Sequence, residues 1–313
     1  MAESLLQVEA LAVCYGSVQA VAGVSLSAAR GEWLGLIGPN GSGKSSTLAA
    51  IAGVLQPVAG LVRVNGLTRH NAPQRYAEQI GYVPQQLAIY TELTVADNLR
   101  FFGQLYGLAG GYLKQRMQTV LQQLGLTAYA RSVVAKLSGG YQRRVHIGCA
   151  LLHAPPLLLL DEPSVALDTA SRSELLELLD RLRQAGQTIV LTTHLLDEAQ
   201  RYCDRLVILE QGRVVASGPV AQLLAQCESA PGQAVSLEGR LVPGAGQLPT
   251  AATVATPGVE LAIADGRLTL RATNSQLLGH ALARLLASGI RLVDIRSSAY
   301  GLGALLKRTG GSV

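Results

Sequence analysis

The alternation of apolar and polar residues predicts a chain that mixes strands and helices. In residues 5–30 apolar positions alternate with polar ones between short turns, which predicts antiparallel strands beside a main sheet. The continuous apolar runs at 33–37 and 157–160 predict strands buried on both faces, as in a parallel sheet. From residue 94 to 126 apolar residues recur at helical spacing. The pattern therefore predicts an α/β fold.

Further elements follow the same rules up to about residue 227. We expect strands at 61–66, 80–83, 187–193, 206–209 and 213–216. We expect helices at 46–52, 141–147, 171–184 and 197–202, with Gly186 ending the third of them. Residues 1–227 are thus predicted to form one large domain.

The C-terminal part has a different composition. Residues 228–257 are rich in Pro, Gly, Ala, Thr and Ser, which predicts a linker with one strand-like stretch at 234–237. Two alternating runs flank Asp265-Gly266, a strong hairpin signal. A helix at 276–287, capped at Asn274 or Ser275, a strand at 290–295 and a short helix at 304–307 complete a small α+β domain over 258–313. It contains no catalytic cluster.

The composition indicates in which cellular compartment the chain is expected. The chain has 313 residues and a mean hydropathy of +0.28. No uninterrupted run reaches the roughly 18 apolar residues that a membrane span requires. The stretch 149–160 comes nearest, but His153, Pro155 and Pro156 interrupt it. The first residues lack the basic start of a signal peptide. We therefore expect the chain to stay in the cytosol.

The charge distribution indicates a solvated surface, and the cysteine spacing indicates free thiols. The net charge of +5 is dispersed, and Arg143-Arg144 is the only adjacent basic pair before Lys307-Arg308. This distribution favours a solvated surface over a nucleic-acid groove, and we expect no nucleic-acid partner. The four cysteines are widely spaced, which favours free thiols in a reducing compartment: Cys14, Cys149, Cys203 and Cys227.

A phosphate-binding loop follows the first buried strand. Residues 38–45 have the spacing Gly38-x-x-x-x-Gly43-Lys44-Ser45, and a predicted helix comes next. Backbone N–H groups, Lys44 and the helix start would bind phosphates, and the Ser45 hydroxyl is a suitable Mg²⁺ ligand. The alternative, a glycine-rich turn without a ligand, fits the full spacing poorly. The candidate ATP-binding residues here are Gly38, Pro39, Asn40, Gly41, Ser42, Gly43, Lys44, Ser45 and Ser46.

Two acidic residues end the four-leucine strand. Asp161 stands where a carboxylate can hold Mg²⁺, and Glu162 is the candidate to polarise an attacking water. An exposed acidic strand end is the alternative. The phosphate loop elsewhere in the same chain makes the catalytic interpretation the stronger one.

A second candidate phosphate cradle begins at Ser138. Ser138-Gly139-Gly140 precedes an amphipathic helix, so that Ser138 is a natural N-cap and the glycines permit an anion to approach closely. A simple helix cap is the alternative. Two cradles about a hundred residues apart in one domain suggest that the second acts on a neighbouring subunit.

Together these motifs resemble the ATP-binding cassette (ABC) ATPases over residues 15–194, in family order. The resemblance implies a P-loop NTPase fold, with a RecA-like core and antiparallel β and helical subdomains. It also implies ATP hydrolysis with ATP and Mg²⁺ as cofactors. By the same resemblance Tyr15 stacks on adenine, Gln85 senses the γ-phosphate and Mg²⁺, and His194 contacts the γ-phosphate. Taken singly, these three residues also fit a packed aromatic, a solvated turn and a strand cap.

The resemblance further implies that two ATPase chains close on each other around two ATP molecules. Residues of one chain would contact the other chain's ATP or couple the two sites: Ser138, Gly139, Gly140, Gln142 and Asp168. The second chain is either an identical copy or a similar subunit. The small C-terminal domain is similar to the appendage of type-2 ABC exporter ATPases, although Gly301-Leu302-Gly303-Ala304 departs from that branch.

For that branch, the implied partner is a separate integral-membrane permease, and the implied place is the cytoplasmic face of the cell membrane. Phe101 and Phe102 are either simple core or the lining of the groove that receives the permease. The alternatives are a soluble regulatory or ribosome-associated ABC ATPase and an importer ATPase.

Overall fold

The computed structural model describes residues 4–228, 235–241, 257–264, 267–272 and 275–298. Its contacts divide the chain into two compact units, residues 1–220 and 221–313. The strands of the first unit are β1 (Ser4–Tyr15), β2 (Val18–Ala29), β3 (Trp33–Ile37), β4 (Ala59–Val64), β5 (Ile80–Val83), β6 (Leu157–Asp161), β7 (Thr188–Thr193), β8 (Arg205–Glu210) and β9 (Arg213–Pro219).

Six of these strands form the main sheet in the order β5-β6-β7-β3-β8-β9. All neighbours run parallel except β9, which pairs antiparallel with β8. Every residue of β3, β6 and β7 is buried, as the continuous apolar runs predicted for the first two. The predicted parallel sheet is therefore confirmed.

A second, antiparallel sheet has the order β2-β1-β4. In its register Val8 lies opposite both Leu26 and Val62, and the apolar side chains of one face enter the core. Leu48 and Ile51 are fully buried in the same core, where each contributes roughly 1.5–3 kcal/mol through burial. The alternating pattern of residues 5–30 thus predicted this sheet correctly.

Helices surround the main sheet. They are α1 (Lys44–Ile51), α2 (Pro73–Ala77), α3 (Val95–Leu105), α4 (Gly110–Gln123), α5 (Gly139–Leu151), α6 (Thr169–Gln184) and α7 (Leu196–Tyr202). Two 3₁₀ turns, Thr127–Tyr129 and Val134–Lys136, lie between α4 and α5. The Thr94 side chain caps α3 by accepting a hydrogen bond from the Asp97 amide. Helices α3, α4 and α5 pack closely because Gly148 leaves room for Leu99 and Leu124.

From residue 220 onward, the described residues form a four-stranded antiparallel sheet and two helices. The elements are α8 (Val220–Glu228), β10 (Val235–Leu241), β11 (Val259–Ala264), β12 (Arg267–Ala272), α9 (Ser275–Ala287) and β13 (Leu292–Ser298). The strand order is β11-β12-β10-β13. Leu278, Ala281 and Leu285 of α9 pack with Leu268 and Leu270 of the sheet, which forms a small core.

The predicted boundaries differ from this arrangement in two places. The first unit ends at residue 220, and the predicted linker 228–257 contains β10, a central strand of the small sheet. A short alternating stretch cannot reveal such pairing, because its partners lie more than 25 residues away. Ala264 lies opposite Arg267, as in the predicted hairpin. Asp265, Gly266, Asn274 and the predicted helix at 304–307 fall outside the described residues.

The structure also bears on the cysteines and on membrane-spanning helices. Cys14, Cys149 and Cys203 are free thiols, as their spacing predicted, whereas the Cys227 side chain is not among those described. Within the described part of the chain no helix has both the length and the apolarity needed to cross a membrane.

Candidate nucleotide site

The predicted site residues lie at the carboxyl ends of four strands of the main sheet. β3 leads into the phosphate loop, β5 into Gln85, β6 into Asp161 and Glu162, and β7 into His194. Because these strands are parallel, their carboxyl ends meet, and this is where α/β sheets bind ligands. Residues that are far apart in sequence therefore become neighbours.

The phosphate loop wraps around the Lys44 side chain. Its Nζ donates to the carbonyl oxygens of Gly38 at 2.9 Å and Pro39 at 3.0 Å. The same Nζ lies 3.8 Å from Glu162 Oε1. Burial lowers the pKa of Lys44, while Glu162 and Asp161 oppose that shift. The ammonium is thus held where the loop can present it to an anion.

Gly43, the N-cap of α1, is required by both conformation and space. Its φ is +96°, and a Cβ atom there would lie 2.5 Å from the Ala20 carbonyl oxygen. The β8–β9 turn also supports the loop. Gly212 donates its N–H to the Ser42 carbonyl at 3.1 Å and accepts from the Ala22 N–H at 2.7 Å. Gly212 was not predicted, because nothing in its local sequence points to the loop.

Asp161 gathers hydroxyl groups from two elements. Ser45 Oγ donates to Asp161 Oδ1 at 3.0 Å, and Thr192 Oγ1 donates to the same oxygen at 2.6 Å. A carboxylate and a hydroxyl in contact are hard oxygen ligands of the kind Mg²⁺ prefers. No group of three or more His, Cys, Asp or Glu among the described residues could hold a metal ion. Asp161 and Ser45 fit a magnesium ion whose other ligands would be phosphate and water oxygens.

Glu162 stands between the other two predicted catalytic residues. Its Oε1 lies 3.4 Å from His194 Nδ1, and its Oε2 lies 3.4 Å from Gln85 Nε2. The backbone of Glu162 has φ +44°, a left-handed conformation that is costly for a residue with a side chain. Thr192 Oγ1 supports this conformation by accepting from the Glu162 N–H at 2.9 Å.

Thr192 is a second residue that the sequence did not predict. It is fully buried and lies opposite Asp161 in the β6–β7 register. The polar end of the apolar run in β7 was its only signal, and only His194 was selected from that region.

An open cavity of about 400 Å³ lies at this edge of the sheet. It is lined by Ala20, Asn40, Gly41, Gly43, Lys44, Ser45, Ser46, Gln85 and Glu162. Tyr15, 51% exposed, is joined to the first turn of α1 because its hydroxyl lies 3.3 Å from Ser46 Oγ. An exposed aromatic ring beside a phosphate loop is available for stacking.

The second predicted cradle forms a separate group that does not line this cavity. Ser138 is the N-cap of α5, but its side chain makes no capping hydrogen bond, contrary to expectation. Gln142 Nε2 donates to the Leu137 carbonyl at 2.9 Å, so that its amide is engaged within its own chain. Ser138 and Gly139 are exposed.

Asp168 lies next to this group. Its carboxylate accepts from the Ser171 N–H at 3.0 Å and from Ser171 Oγ at 2.6 Å, and it thereby caps α6. These hydrogen bonds lower the pKa of Asp168. A Cβ atom at Gly140 would lie 3.2 Å from Ser171 Cβ, and one at Gly139 would lie 3.4 Å from Leu167. The two predicted segments are therefore in contact with each other.

Comparison with known proteins identifies the family. The ABC transporter family profile matches residues 21–165. The linearmycin resistance ATP-binding protein of Bacillus subtilis (strain 168) is 40% identical over 70% of this chain and 70% of its own length. The chain belongs to the ATP-binding proteins of ABC transporters. The Nod factor export ATP-binding protein I of Ralstonia nicotianae is 38% identical over 70% of this chain and 68% of its own length.

Solved structures agree with this ABC assignment. An ATP-binding subunit of an ABC transporter has a TM-score of 0.63 and 36% identity, covering 71% of this chain and 92% of that chain. A post-hydrolysis dimer of an ATP-binding cassette with ADP and phosphate has a TM-score of 0.61 and 27% identity, covering 69% and 98%. The predicted P-loop NTPase fold is confirmed, and this ABC protein is an ATP-hydrolysing cassette.

Proposed function

We propose that this ABC ATPase drives export through a separate membrane permease, by closing on a second ATPase chain around ATP and Mg²⁺. One observation supports this most. Lys44, Asp161, Glu162, Gln85 and His194 follow four strands and converge at the carboxyl ends of the main sheet, with Glu162 within 3.8 Å of Lys44 and 3.4 Å of both Gln85 and His194.

Each residue of this group has a proposed role. Ser45, Asp161 and Gln85 would hold Mg²⁺, which neutralises phosphate charge when bound. Lys44 would turn from the Gly38 and Pro39 carbonyls to the β- and γ-phosphates. Glu162 would orient the attacking water and accept its proton.

His194 and Tyr15 complete the proposed site within one chain. His194 would donate a hydrogen bond to the γ-phosphate, and its 3.4 Å contact with Glu162 supports this role. Tyr15 would stack on adenine with its exposed ring. The remaining ATP ligands are the loop residues Gly38, Pro39, Asn40, Gly41, Ser42, Gly43 and Ser46.

The proposed second subunit supplies ligands that one chain lacks. Ser138 and Gly139 are exposed at the N-terminus of α5, a 13-residue helix whose free N–H groups favour an anion. In a head-to-tail dimer this end would meet the ATP of the other chain. Gly140, Asp168 and Gln142 would support the surface, the last through its bond to Leu137. Homodimer and heterodimer both fit.

An aromatic cluster on the helical part is the proposed docking site for the permease. The rings of Tyr90 and Phe101 are 5.0 Å apart, and those of Phe101 and Phe102 are 5.4 Å apart. Tyr90 is 47% exposed and both phenylalanines are half-buried, so the cluster is accessible to solvent. This exposure favours the groove interpretation over a simple core, and it would place the chain at the cytoplasmic face of the membrane.

The direction of transport and the roles of the two parts of the chain are the last points of the proposal. Export is favoured over import by relatives that are named for resistance and for Nod factor export. We assign ATP hydrolysis to residues 1–227 and an accessory role to the small sheet from β10 onward. The predicted domain of 258–313 is thereby extended to include β10.

The Glu162→Gln variant tests the dimer. With hydrolysis blocked, Mg²⁺-ATP should hold two chains together, measured as a doubled mass by light scattering after gel filtration. If a homodimer does not form, a tagged variant is retested with an accompanying ATPase subunit. Glu177→Gln, an exposed change on α6, should hydrolyse ATP and stay at its nucleotide-free mass. A variant that binds ATP but pairs with neither chain would sink the head-to-tail model.

Purification of the tagged chain from solubilised native membranes tests the permease. We expect a stoichiometric multi-span membrane protein, identified by mass spectrometry. Soluble partners alone would contradict the transporter role and favour the regulatory or ribosome-associated alternative.

A further inference from the structure

Arg143 joins α5 to the loop that carries Gln85. It lies on the second turn of α5, five residues after Ser138, and its side chain is 93% buried. Its NH1 donates to the Pro84 carbonyl at 3.1 Å, and its NH2 donates to the Gln85 carbonyl at 2.7 Å. The guanidinium therefore binds two successive carbonyl oxygens, one on each side of the Gln85 N–Cα bond.

A second side chain on the same face of α5 holds the other end of this loop. His146, one turn beyond Arg143, has its Nε2 3.4 Å from the Ala88 amide nitrogen. Burial lowers the pKa of His146 to about 4, so that the neutral ring is available as an acceptor near pH 7. Residues 84–88 are therefore fixed to α5 at both ends.

The Gln85 side chain leaves this fixed backbone towards the cavity. Its Nε2 lies 3.4 Å from Glu162 Oε2, and Gln85 itself lines the cavity. A side chain of this length reaches its target reproducibly only if its Cα position is held.

We infer that Arg143 is a positioning residue for ATP hydrolysis, which acts by holding the Gln85 backbone at the nucleotide site. Arg143 also connects the Gln85 loop rigidly to the start of α5. That start of α5 is the proposed surface for the other subunit's ATP. This inference rests on the proposed role of Gln85, which requires its own control.

Arg116 of α4 offers a matched control, because it contacts the far end of α5. Its Nε donates to the Leu152 carbonyl at 2.9 Å, and its NH2 donates to the Leu151 carbonyl at 2.9 Å. It makes the same type of clamp on two successive carbonyls, but it does not line the nucleotide cavity. Arg143→Met and Arg116→Met therefore remove equivalent interactions at opposite ends of α5.

Hydrogen exchange of the nucleotide-free full chain tests the clamp. In Arg143→Met the Ala88 amide, whose hydrogen bond to His146 requires that the loop be held against α5, should exchange roughly tenfold faster, while Arg116→Met leaves it unchanged. Equal protection of the Ala88 amide in Arg143→Met and the wild type would overturn the clamp.

Steady-state hydrolysis tests the positioning role. Arg143→Met should lower kcat roughly 10- to 100-fold with the KM for ATP within about threefold, whereas Arg116→Met keeps kcat within about twofold. Gln85→Ala should lower kcat similarly, and the Arg143→Met/Gln85→Ala double variant should be no slower than Gln85→Ala. Arg143→Lys, which keeps the charge but not the two-pronged contact, should fall between and serves if the methionine variant does not fold.

The possible failures are distinguishable. An unchanged kcat in Gln85→Ala would overturn the proposed role of Gln85. A lowered kcat in that variant, together with independent, multiplicative losses in the double variant, would overturn the inference about Arg143 alone.

Discussion

The hydroxyl group of Thr192 donates to Asp161 Oδ1 over 2.6 Å, across the β6–β7 register. Thr192 Oγ1 also accepts a hydrogen bond from the Glu162 N–H at 2.9 Å. One buried hydroxyl therefore orients the proposed magnesium ligand and fixes the left-handed backbone of the proposed catalytic residue. The geometry at the end of β6 thus depends on its neighbour strand.

Replacing Thr192 by valine should impair both stability and catalysis. Valine keeps the shape but leaves the Glu162 N–H without its partner, which should lower the free energy of unfolding by roughly 1–3 kcal/mol. We also expect kcat to fall roughly tenfold or more, because Asp161 and Glu162 lose their orientation. Urea unfolding and steady-state ATPase assays measure the two effects.

Thr188→Val is the control for this prediction. Thr188 is equally buried at the other end of β7, where its Oγ1 accepts from the Gly31 N–H at 2.9 Å. Its loss should cost a similar free energy of unfolding with little change in kcat. Equal losses of kcat in the two variants would contradict the specific role of Thr192.

Gly43→Ala should weaken the affinity for ATP. Besides the cost of φ +96°, the added methyl group would collide with the backbone carbonyl of Ala20, so that the phosphate loop must move. We expect the Kd for ATP to rise at least about tenfold, measured by titration with a fluorescent ATP analogue. Gly186→Ala, at φ +100° with open space around it, carries the strain alone and should keep the wild-type Kd. A wild-type Kd in Gly43→Ala would show that the loop tolerates the displacement.

The buried His146 and the half-buried His153 should make the protein less stable in mild acid. Burial lowers the pKa of both His146 and His153 from 6.5 to about 4. Between these pH values the unfolded chain binds protons that the native rings do not, so the free energy of unfolding falls as the pH falls. Each histidine contributes up to roughly 1.4 kcal/mol per pH unit.

Urea unfolding at pH 7 and pH 5 measures this dependence. The His146→Gln/His153→Gln variant should lose less stability between the two pH values than the wild type does. His70→Gln, at an exposed position, should leave the loss unchanged. An identical loss in the double variant would assign the pH dependence to other groups.

The sequence predicted contiguous features well. The phosphate loop is a short motif whose backbone conformation follows from its own glycines, and it was placed correctly between β3 and α1. Runs that are buried on both faces identified β3 and β6 in the same local way. Gln85 and His194 are different, because a glutamine after a strand carries no signal of its own. They were selected only through the family resemblance, and the structure places both beside Glu162.

Local periodicity and contiguous motifs in the sequence were thus sufficient to predict most strands and helices of the first unit, the phosphate loop and the family, although α2 was not predicted. The tertiary structure decided which distant groups meet. Thr192 and Asp161 are 31 residues apart, Arg143 and Gln85 are 58 apart, and β10 pairs with strands beyond the predicted linker. Such contacts arise from strand order and helix packing, and these are set by how the whole chain buries its apolar surface.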